Sequence, residues 1–357
     1  MTQKNTEIRE IGEFGLIDRI RDLVTFRVDD ATVHDNLIMG ISDDTAVYRP
    51  APGKVQLLTT DAFIEGIHFD LTFTSLKHIG WKAMVANISD IAAMGGIPRY
   101  ATIALSLPRK ISVEMVEEFY QGASFACKKY SCLLVGGDTT TSMGNMMVAV
   151  ALTGEADHDR VVYRKGAQPG DYLCVTGHVG AAHAGLKILQ REKEKFIDSA
   201  GSKSFQPNFE PYKLALEKHL MPNPRLDLSR ILVEHVKINS MIDVSDGLAS
   251  EIHQICKNGN VGASVFERNI PMDSVTQNIA AEFSENPIDY ALYGGEEYEL
   301  LFSLCDEEYA KLEQLTSDVS IIGRIVEKNK GIELVRENGE HELLCFGGWD
   351  HFEKKTE

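Results

Sequence analysis

Short and long apolar runs alternate along the first half of this chain. The short ones, at residues 55–60, 100–107, 132–135 and 146–152, are strand-like, and ATIALSL within the second alternates as a strand with one buried face does. Between the first two lies residues 76–94, long enough for a helix and apolar nearly all round, which predicts burial. Ser112 can cap a further helix, with Glu114 in its first turn and Lys128 and Lys129 in its last, as the helix dipole favours. The GGDTT stretch at 136–140 reads as a turn between the last two strands. This βαβαββ order predicts a mixed sheet with helices on one face, in the α/β (α+β) class.

Residues 154–170 break the pattern with EADHDR and GAQPGD, where charge, Gly and Pro concentrate. A domain boundary is placed here, giving an N-terminal domain over 1–157 and a C-terminal α/β domain over 158–357. The second half restarts with a strand at 172–176 and a Gly-rich entry into a helix, TGHVGAAHAG. Gly177, Gly180 and Gly185 there are a weak phosphate-binding signal. Residues 190–211 are polar and predict a surface excursion. Helices follow near 211–219, 226–236 and 247–257, with strands at 241–244, 298–303 and 321–325. No fixed-period repeat is visible.

Composition narrows the function. The 357 residues carry 43% apolar and 25% charged side chains, the balance of a soluble globular protein. A net charge of −17 disfavours nucleic acid as a partner. It still permits an anionic nucleotide where metal ions invert the local field. Six cysteines form no C-x-x-C pair and mostly sit among apolar neighbours, as small core residues do. The opening MTQKNTEIRE has no apolar stretch of signal-peptide type, and no run is long enough to span a membrane. The expectation is a reduced, cytoplasmic protein.

The chemistry lies in aspartates at the ends of apolar runs: Asp43 and Asp44 in GISDDTAV, Asp61 in LLTTDAF, Asp90 in ANISDIAAMGG, Asp138 in LLVGGDTT, and Asp243 and Asp246 in MIDVSDG. A buried carboxylate without a partner costs several kcal/mol, so Asp90 needs a cation or several donors. Asn87, one turn earlier, is on the same face. Thr59, Thr60 and Asp61 offer hydroxyl, carbonyl and carboxylate oxygens, the ligands Mg²⁺ prefers. Each cluster also has a plain structural reading as a cap or a solvated turn. For Glu296, Glu297 and Glu299 in GGEEYEL the simplest reading is solvation; for His68 in EGIHFD it is a satisfied histidine, and for Arg164 solvation and a phosphate clamp stand level. No G-x-x-x-x-G-K-[ST] loop, protein-kinase set or G-x-G-x-x-G is present. Motif logic alone reaches a phosphate-handling site with several Mg²⁺ ions.

The ordered series GEF, GISDDTA, TTDAF, GIHF, NISDIAAMGG, GGDTT, TGHVG, DVSDGL, GGEEYEL and WDHF, spanning residues 12–352, resembles the thiamine-monophosphate kinases. That resemblance implies ATP-dependent phosphorylation of thiamine monophosphate to thiamine diphosphate, and the two-domain fold of aminoimidazole ribonucleotide synthetase and selenophosphate synthetase. In that superfamily the N-terminal domains pair in a homodimer. By match, Asp44, Thr59, Thr60, Asp61, Asp90, Asp138, Asp243 and Asp246 would hold Mg²⁺, with Asp61, Asp90, Asp138 and Asp246 serving catalysis. Gly137, Asp138, Arg164, Ser245 and Tyr120 would contact ATP. His68, Glu296 and Phe346 would contact the thiamine substrate. The chain departs from the family pattern at Ser42, where Gly is usual, and at Glu297, where Asp is usual. Phe346 falls where a substrate-stacking Trp is expected, with Trp349 three residues later.

Rivals of two kinds stand beside this expectation, two other members of the superfamily and one protein of another class. Selenophosphate synthetase is disfavoured by the lack of an N-terminal Cys, and aminoimidazole ribonucleotide synthetase by the HF, GGE and terminal aromatic motifs. A non-catalytic cation- or nucleotide-binding module is the rival from another class.

Overall fold

The computed structural model describes residues 6–25, 29, 31–41, 45–199 and 206–348. The chain divides into two compact units, one of residues 1–91 and 96–159, the other of 92–95 and 160–357.

The first unit contains α1 (Ile8–Val24), α2 (Ala31–Asn36), β1 (Leu37–Met39), β2 (Val47–Tyr48), β3 (Lys54–Ile64), α3 (Leu76–Ala93, whose last two residues group with the second unit), β4 (Ile97–Pro108), α4 (Val113–Lys129), β5 (Leu133–Ser142) and β6 (Met147–Asp157). Its main sheet has the order β3-β6-β4-β5. Only β4 and β5 are parallel, joined by the α4 crossover; the other pairs are antiparallel. The expected βαβαββ order is what forms. GGDTT differs from expectation: it is not a turn but the body of β5, in register with residues 102–106 of β4. The pairing with β4 keeps its glycines extended, so the run that reads as a turn lengthens the strand.

Strand periodicity decides which side chains are covered. In β6, Val148, Val150 and Leu152 are buried, as are Ala101, Ile103 and Leu105 in β4. The opposite face is open, with Leu58 77% exposed. Helix α3 is apolar all round and buried, and Ser75 caps it by accepting the His78 N–H at 3.3 Å. Ser112 caps α4 by accepting the Met115 N–H. The two helices cross with almost no space between them. A Cβ on Gly80 would lie 2.0 Å from the Phe119 carbonyl oxygen, and one on Gly122 would lie 1.9 Å from that of Lys77.

The second unit contains β7 (Tyr172–Thr176), α5 (Ala181–Asp198), α6 (Lys213–Leu220), α7 (Leu226–His235), β8 (Ser240–Asp243), α8 (Leu248–Gly259), β9 (Gly262–Phe266), α9 (Ser274–Glu282), α10 (Pro287–Tyr293), β10 (Leu300–Leu304), α11 (Asp306–Leu312), β11 (Val319–Val326), β12 (Ile332–Val335) and β13 (His341–Leu343). Its seven-stranded sheet runs β13-β12-β9-β11-β7-β10-β8, antiparallel except between β12 and β9. Here helices cover both faces, not one. Leu173, Val175 and Leu301 pack with α8 and α10, while Cys174, Leu300 and Phe302 pack with α7 and α11. Strands apolar at consecutive positions, such as YLCVT and LLFSL, require cover on both sides. The expected excursion from residue 190 is helical as far as Asp198: it is the C-terminal half of α5, in which no residue is fully buried.

The α3–α4 crossing gives a stability test. Gly80→Ala should destabilise the protein by about 1–3 kcal/mol in urea unfolding, through overpacking. Gly144→Ala, with open space around it, should be close to neutral. Equal midpoints for the two variants would contradict the crossing.

Candidate active site

In the first unit, β3 and α3 bring donors together. Alternation along β3 turns Thr59 and Asp61 to one side and Thr60 to the other. The Thr59 hydroxyl donates to the Asp90 carboxylate, which fixes that side as the one facing α3. The Thr60 hydroxyl instead donates to the Val150 carbonyl at 2.8 Å, so its side chain is not part of this cluster. Asp90 lies in the last turn of α3, where the helix dipole disfavours negative charge. One turn earlier, fully buried Asn87 donates to the Ala83 carbonyl at 3.0 Å, and its side-chain oxygen has no hydrogen-bond partner among the described residues.

The other residues of this unit are spread more widely. Asp138 is exposed on β5, in register with Ala104. Three inter-strand steps separate β3 from β5, so the backbones of Asp61 and Asp138 are roughly 14 Å apart by strand spacing. Gly137 has no room for a side chain, because a Cβ would sit 2.1 Å from the Ile103 carbonyl oxygen. His68 follows β3; its Nδ1 accepts the Ile64 N–H at 3.0 Å, which leaves the proton of a neutral ring on Nε2. Tyr120 is buried in α4 with its ring edge-on to Phe119, and burial raises its hydroxyl well above the usual range. Asp44, like Asp43 and Ser42, lies outside the described residues, as does Trp349.

In the second unit, the segment Asp243–Gly247 runs on from β8 beside the GGEEYEL segment. Val244 N–H donates to the Glu299 carbonyl at 2.7 Å, Tyr298 N–H to Val244 at 2.8 Å, and Glu296 N–H to Ser245 at 2.7 Å. Gly295 permits this approach, since a Cβ there would lie 2.3 Å from the Ser245 carbonyl oxygen. Asp243 is buried and Asp246 is half-buried. Arg164 is exposed in a segment tied to the same edge strand, where Met241 N–H donates to the Tyr163 carbonyl at 3.0 Å. Phe346 is 63% exposed and stands edge-on to His253 at 5.6 Å between centroids.

Several polar residues that sequence reasoning passed over shape this region. Glu251 of α8 accepts the Asp246 N–H at 3.1 Å. Burial, with the charges of Asp246 and Asp243 adding to it, pushes its carboxyl up to about 8. Of the three glutamates read as solvated, two are buried. Glu299 receives Lys218 at 2.9 Å, Arg225 at 2.7 Å and the Thr176 hydroxyl at 2.6 Å. Glu297 accepts the Ala182 N–H at 2.8 Å in the first turn of α5. That helix start, where the Gly-rich run gave a phosphate signal, therefore carries this chain's own carboxyl. Burial pushes Glu297 up to about 8, against the opposing pull of Lys218. Glu296 pairs with His219 at 3.3 Å. The burial of Glu297 and Glu299 had one readable signal, the apolar run YALYGG and LLF on either side of them.

Among the described residues no three His, Cys, Asp or Glu side chains converge as a ready-made metal cage. The oxygen donors around Thr59, Asp61 and Asp90 do suit Mg²⁺. That ion is usually held by one or two carboxylates, its own waters and substrate phosphates, and not by an all-protein cage.

Two family models match the chain: AIR synthase related protein, N-terminal domain, over residues 42–156, and AIR synthase related protein, C-terminal domain, over 168–336. The fold is thus the two-domain AIR synthase related type. Within that class, the chain is 35% identical over 348 residues to thiamine-monophosphate kinase of Aquifex aeolicus, covering 97% of this chain and 99% of the relative. A solved structure of thiamine-monophosphate kinase from Stenotrophomonas maltophilia K279a superposes with a TM-score of 0.76 at 30% identity, over 92% of this chain and 98% of that one. Another, AaThiL complexed with AMPPCP and TMP, superposes with a TM-score of 0.73 at 32% identity, over 98% and 100%. The chain belongs to the thiamine-monophosphate kinase family of enzymes, as the ordered motifs indicate. No described helix is long and apolar enough to cross a membrane.

Glu297 gives a pH test. Its folded-state value of about 8 lies above the ordinary 4.5, so the folded chain holds this proton longer than the unfolded one. The resulting stability is complete below about pH 4.5 and is lost as pH rises through about 8. Glu297→Gln lacks this dependence. Its melting temperature relative to the parent should therefore climb between about pH 5 and about pH 9. A gap that does not change with pH would show the carboxyl to be ionised in the fold.

Proposed function

We propose that this chain transfers the γ-phosphoryl group of ATP to the phosphate of thiamine monophosphate, giving thiamine diphosphate and ADP. The observation that carries the reading is the likeness over 98% of the chain to a structure complexed with AMPPCP and TMP. The bond between the γ-phosphorus and its bridging oxygen breaks, and a new one forms to an acceptor phosphate oxygen, in line. The acceptor is a phosphate monoester with a second pKa near about 6, already largely dianionic at neutral pH. No side chain has to remove a proton, which fits a site rich in acids with no base among them.

The difficulty is repulsion between two polyanions. In our assignment Asp44, Thr59, Thr60, Asp61, Asp90, Asp138, Asp243 and Asp246 would hold Mg²⁺, with Thr60 confined to its backbone carbonyl because its hydroxyl serves Val150. Mg²⁺ held there would supply the positive charge that offsets the repulsion between the phosphates. Asp61, Asp90, Asp138 and Asp246 matter most to turnover. Gly137, Asp138, Arg164, Ser245 and Tyr120 serve ATP. Glu296 attracts the cationic thiazolium, His68 donates from Nε2, and exposed Phe346 offers a π face to the same cation. The open face of the first unit's sheet, around Leu58, Ile64 and Met147, is the surface we assign to homodimer pairing.

Purified protein with ATP and Mg²⁺ should form ADP when thiamine monophosphate is added and not when thiamine is added. Asp61→Asn and Asp90→Asn should each lower kcat by about 100-fold or more, the scale of losing an electrostatic group at the reacting centre, with an unchanged circular dichroism spectrum. Equal turnover of thiamine would end the monophosphate assignment. Near-normal turnover by either variant would end the metal assignment.

A further inference from the structure

We infer that Glu297 is a positioning residue for the acceptor: its carboxyl, docked on the first turn of α5, fixes the backbone of Glu296 in the conformation that binds thiamine monophosphate. This rests on the proposed role of Glu296.

Glu297 stands between two residues in left-handed backbone conformation, Glu296 at φ 68° and Tyr298 at φ 55°. L-residues with side chains disfavour that region, so the surrounding structure must hold both of them there. Three hydrogen bonds do so. Two tie the flanking amides to the segment after β8, Glu296 to Ser245 at 2.7 Å and Tyr298 to Val244 at 2.8 Å. The third is the side-chain bond from Ala182 N–H to Glu297 at 2.8 Å, which anchors the segment to α5. The other two bonds tie this stretch to the segment after β8, so this one is its link to the start of α5.

The placement is hard to explain as stability alone. Glu297 is fully buried, and one of its carboxyl oxygens has no hydrogen-bond partner among the described residues. The neighbouring cation Lys218 donates to Glu299. An apolar residue of the same size would cost less to bury. What the carboxyl contributes is a fixed link from α5 to residue 296. The side chain of Glu296 lies 3.3 Å from Nδ1 of His219 on α6, and α6 packs against α5 where Gly185 meets Ala215. Backbone and side chain of Glu296 thus both lie beside the α5–α6 pair.

Two nearly isosteric variants test this in the full chain. Glu297→Gln keeps a carbonyl oxygen for the Ala182 N–H, whereas Glu297→Met fills the space and deletes the acceptor. With Mg²⁺ and ATP, the Met variant should raise KM for thiamine monophosphate roughly tenfold while KM for ATP stays within about twofold, and the Gln variant should stay near the parent on both. In a Glu296→Gln background the Met substitution should add little further, because both act at one point. Equal shifts in both KM values, a Gln variant as impaired as the Met variant, or full additivity would each overturn the inference. If the parent chain forms no ADP in response to thiamine monophosphate, it is the proposed reaction that fails. If the parent responds and the Met variant binds acceptor normally, it is the role of Glu297 that fails.

Discussion

Like charges held at the edge of an apolar core repel, and partial burial weakens their screening by water. This chain nonetheless fixes half-buried Asp90 in the last turn of α3, where the dipole adds to the penalty, and turns half-buried Thr59 and Asp61 of β3 to the side that faces α3. A fold that needed only stability would place amides or apolar side chains there. The arrangement is consistent with a hard cation that arrives together with its phosphate ligands, and it requires β3 and α3 to be rigid. Rigidity comes from the α3–α4 crossing, where two helix backbones approach so closely that glycine is required on each.

The second unit handles negative charge differently. Glu299 is neutralised internally by Lys218, Arg225 and the Thr176 hydroxyl. Among the described residues no cation is bonded to Glu251 or Glu297, and burial pushes both carboxyls up to about 8. Each accepts one backbone N–H: Glu251 from Asp246 and Glu297 from Ala182. These buried acids act as braces on backbone beside Asp243, Asp246 and Glu296. The division lets a chain of net charge −17 gather acids in one region with part of their charge suppressed by burial.

Much of this was legible in the sequence, for reasons that differ by element. The alternation in β3, β4 and β6 and the all-round apolar α3 report their own burial, so strands, helices and their order follow from periodicity. The same period of two also indicates that Thr60 faces away from Thr59 and Asp61, a signal that the oxygen-rich composition of TTD obscured. GGDTT looked like a turn because two glycines in a row lack any local preference for a strand; pairing with β4 decides it. The helical end of α5 after residue 190 was hidden because a helix end solvated all round has the composition of a loop. The long-range contacts of the buried glutamates were least legible. Glu297 meets Ala182 across 115 residues of chain, and Glu299 meets Lys218 and Arg225 across 81 and 74, and no local pattern encodes such meetings.

The central claim is that Asp61 and Asp90 gather a hard cation together with phosphate ligands. Equilibrium binding of Mn²⁺, followed by its electron paramagnetic resonance signal with a non-hydrolysable ATP analogue and thiamine monophosphate present, tests it most directly. The account predicts Mn²⁺ bound by the parent chain only when the phosphate ligands are present, and less bound by Asp90→Asn. The same Mn²⁺ stoichiometry and affinity in parent and variant would contradict it.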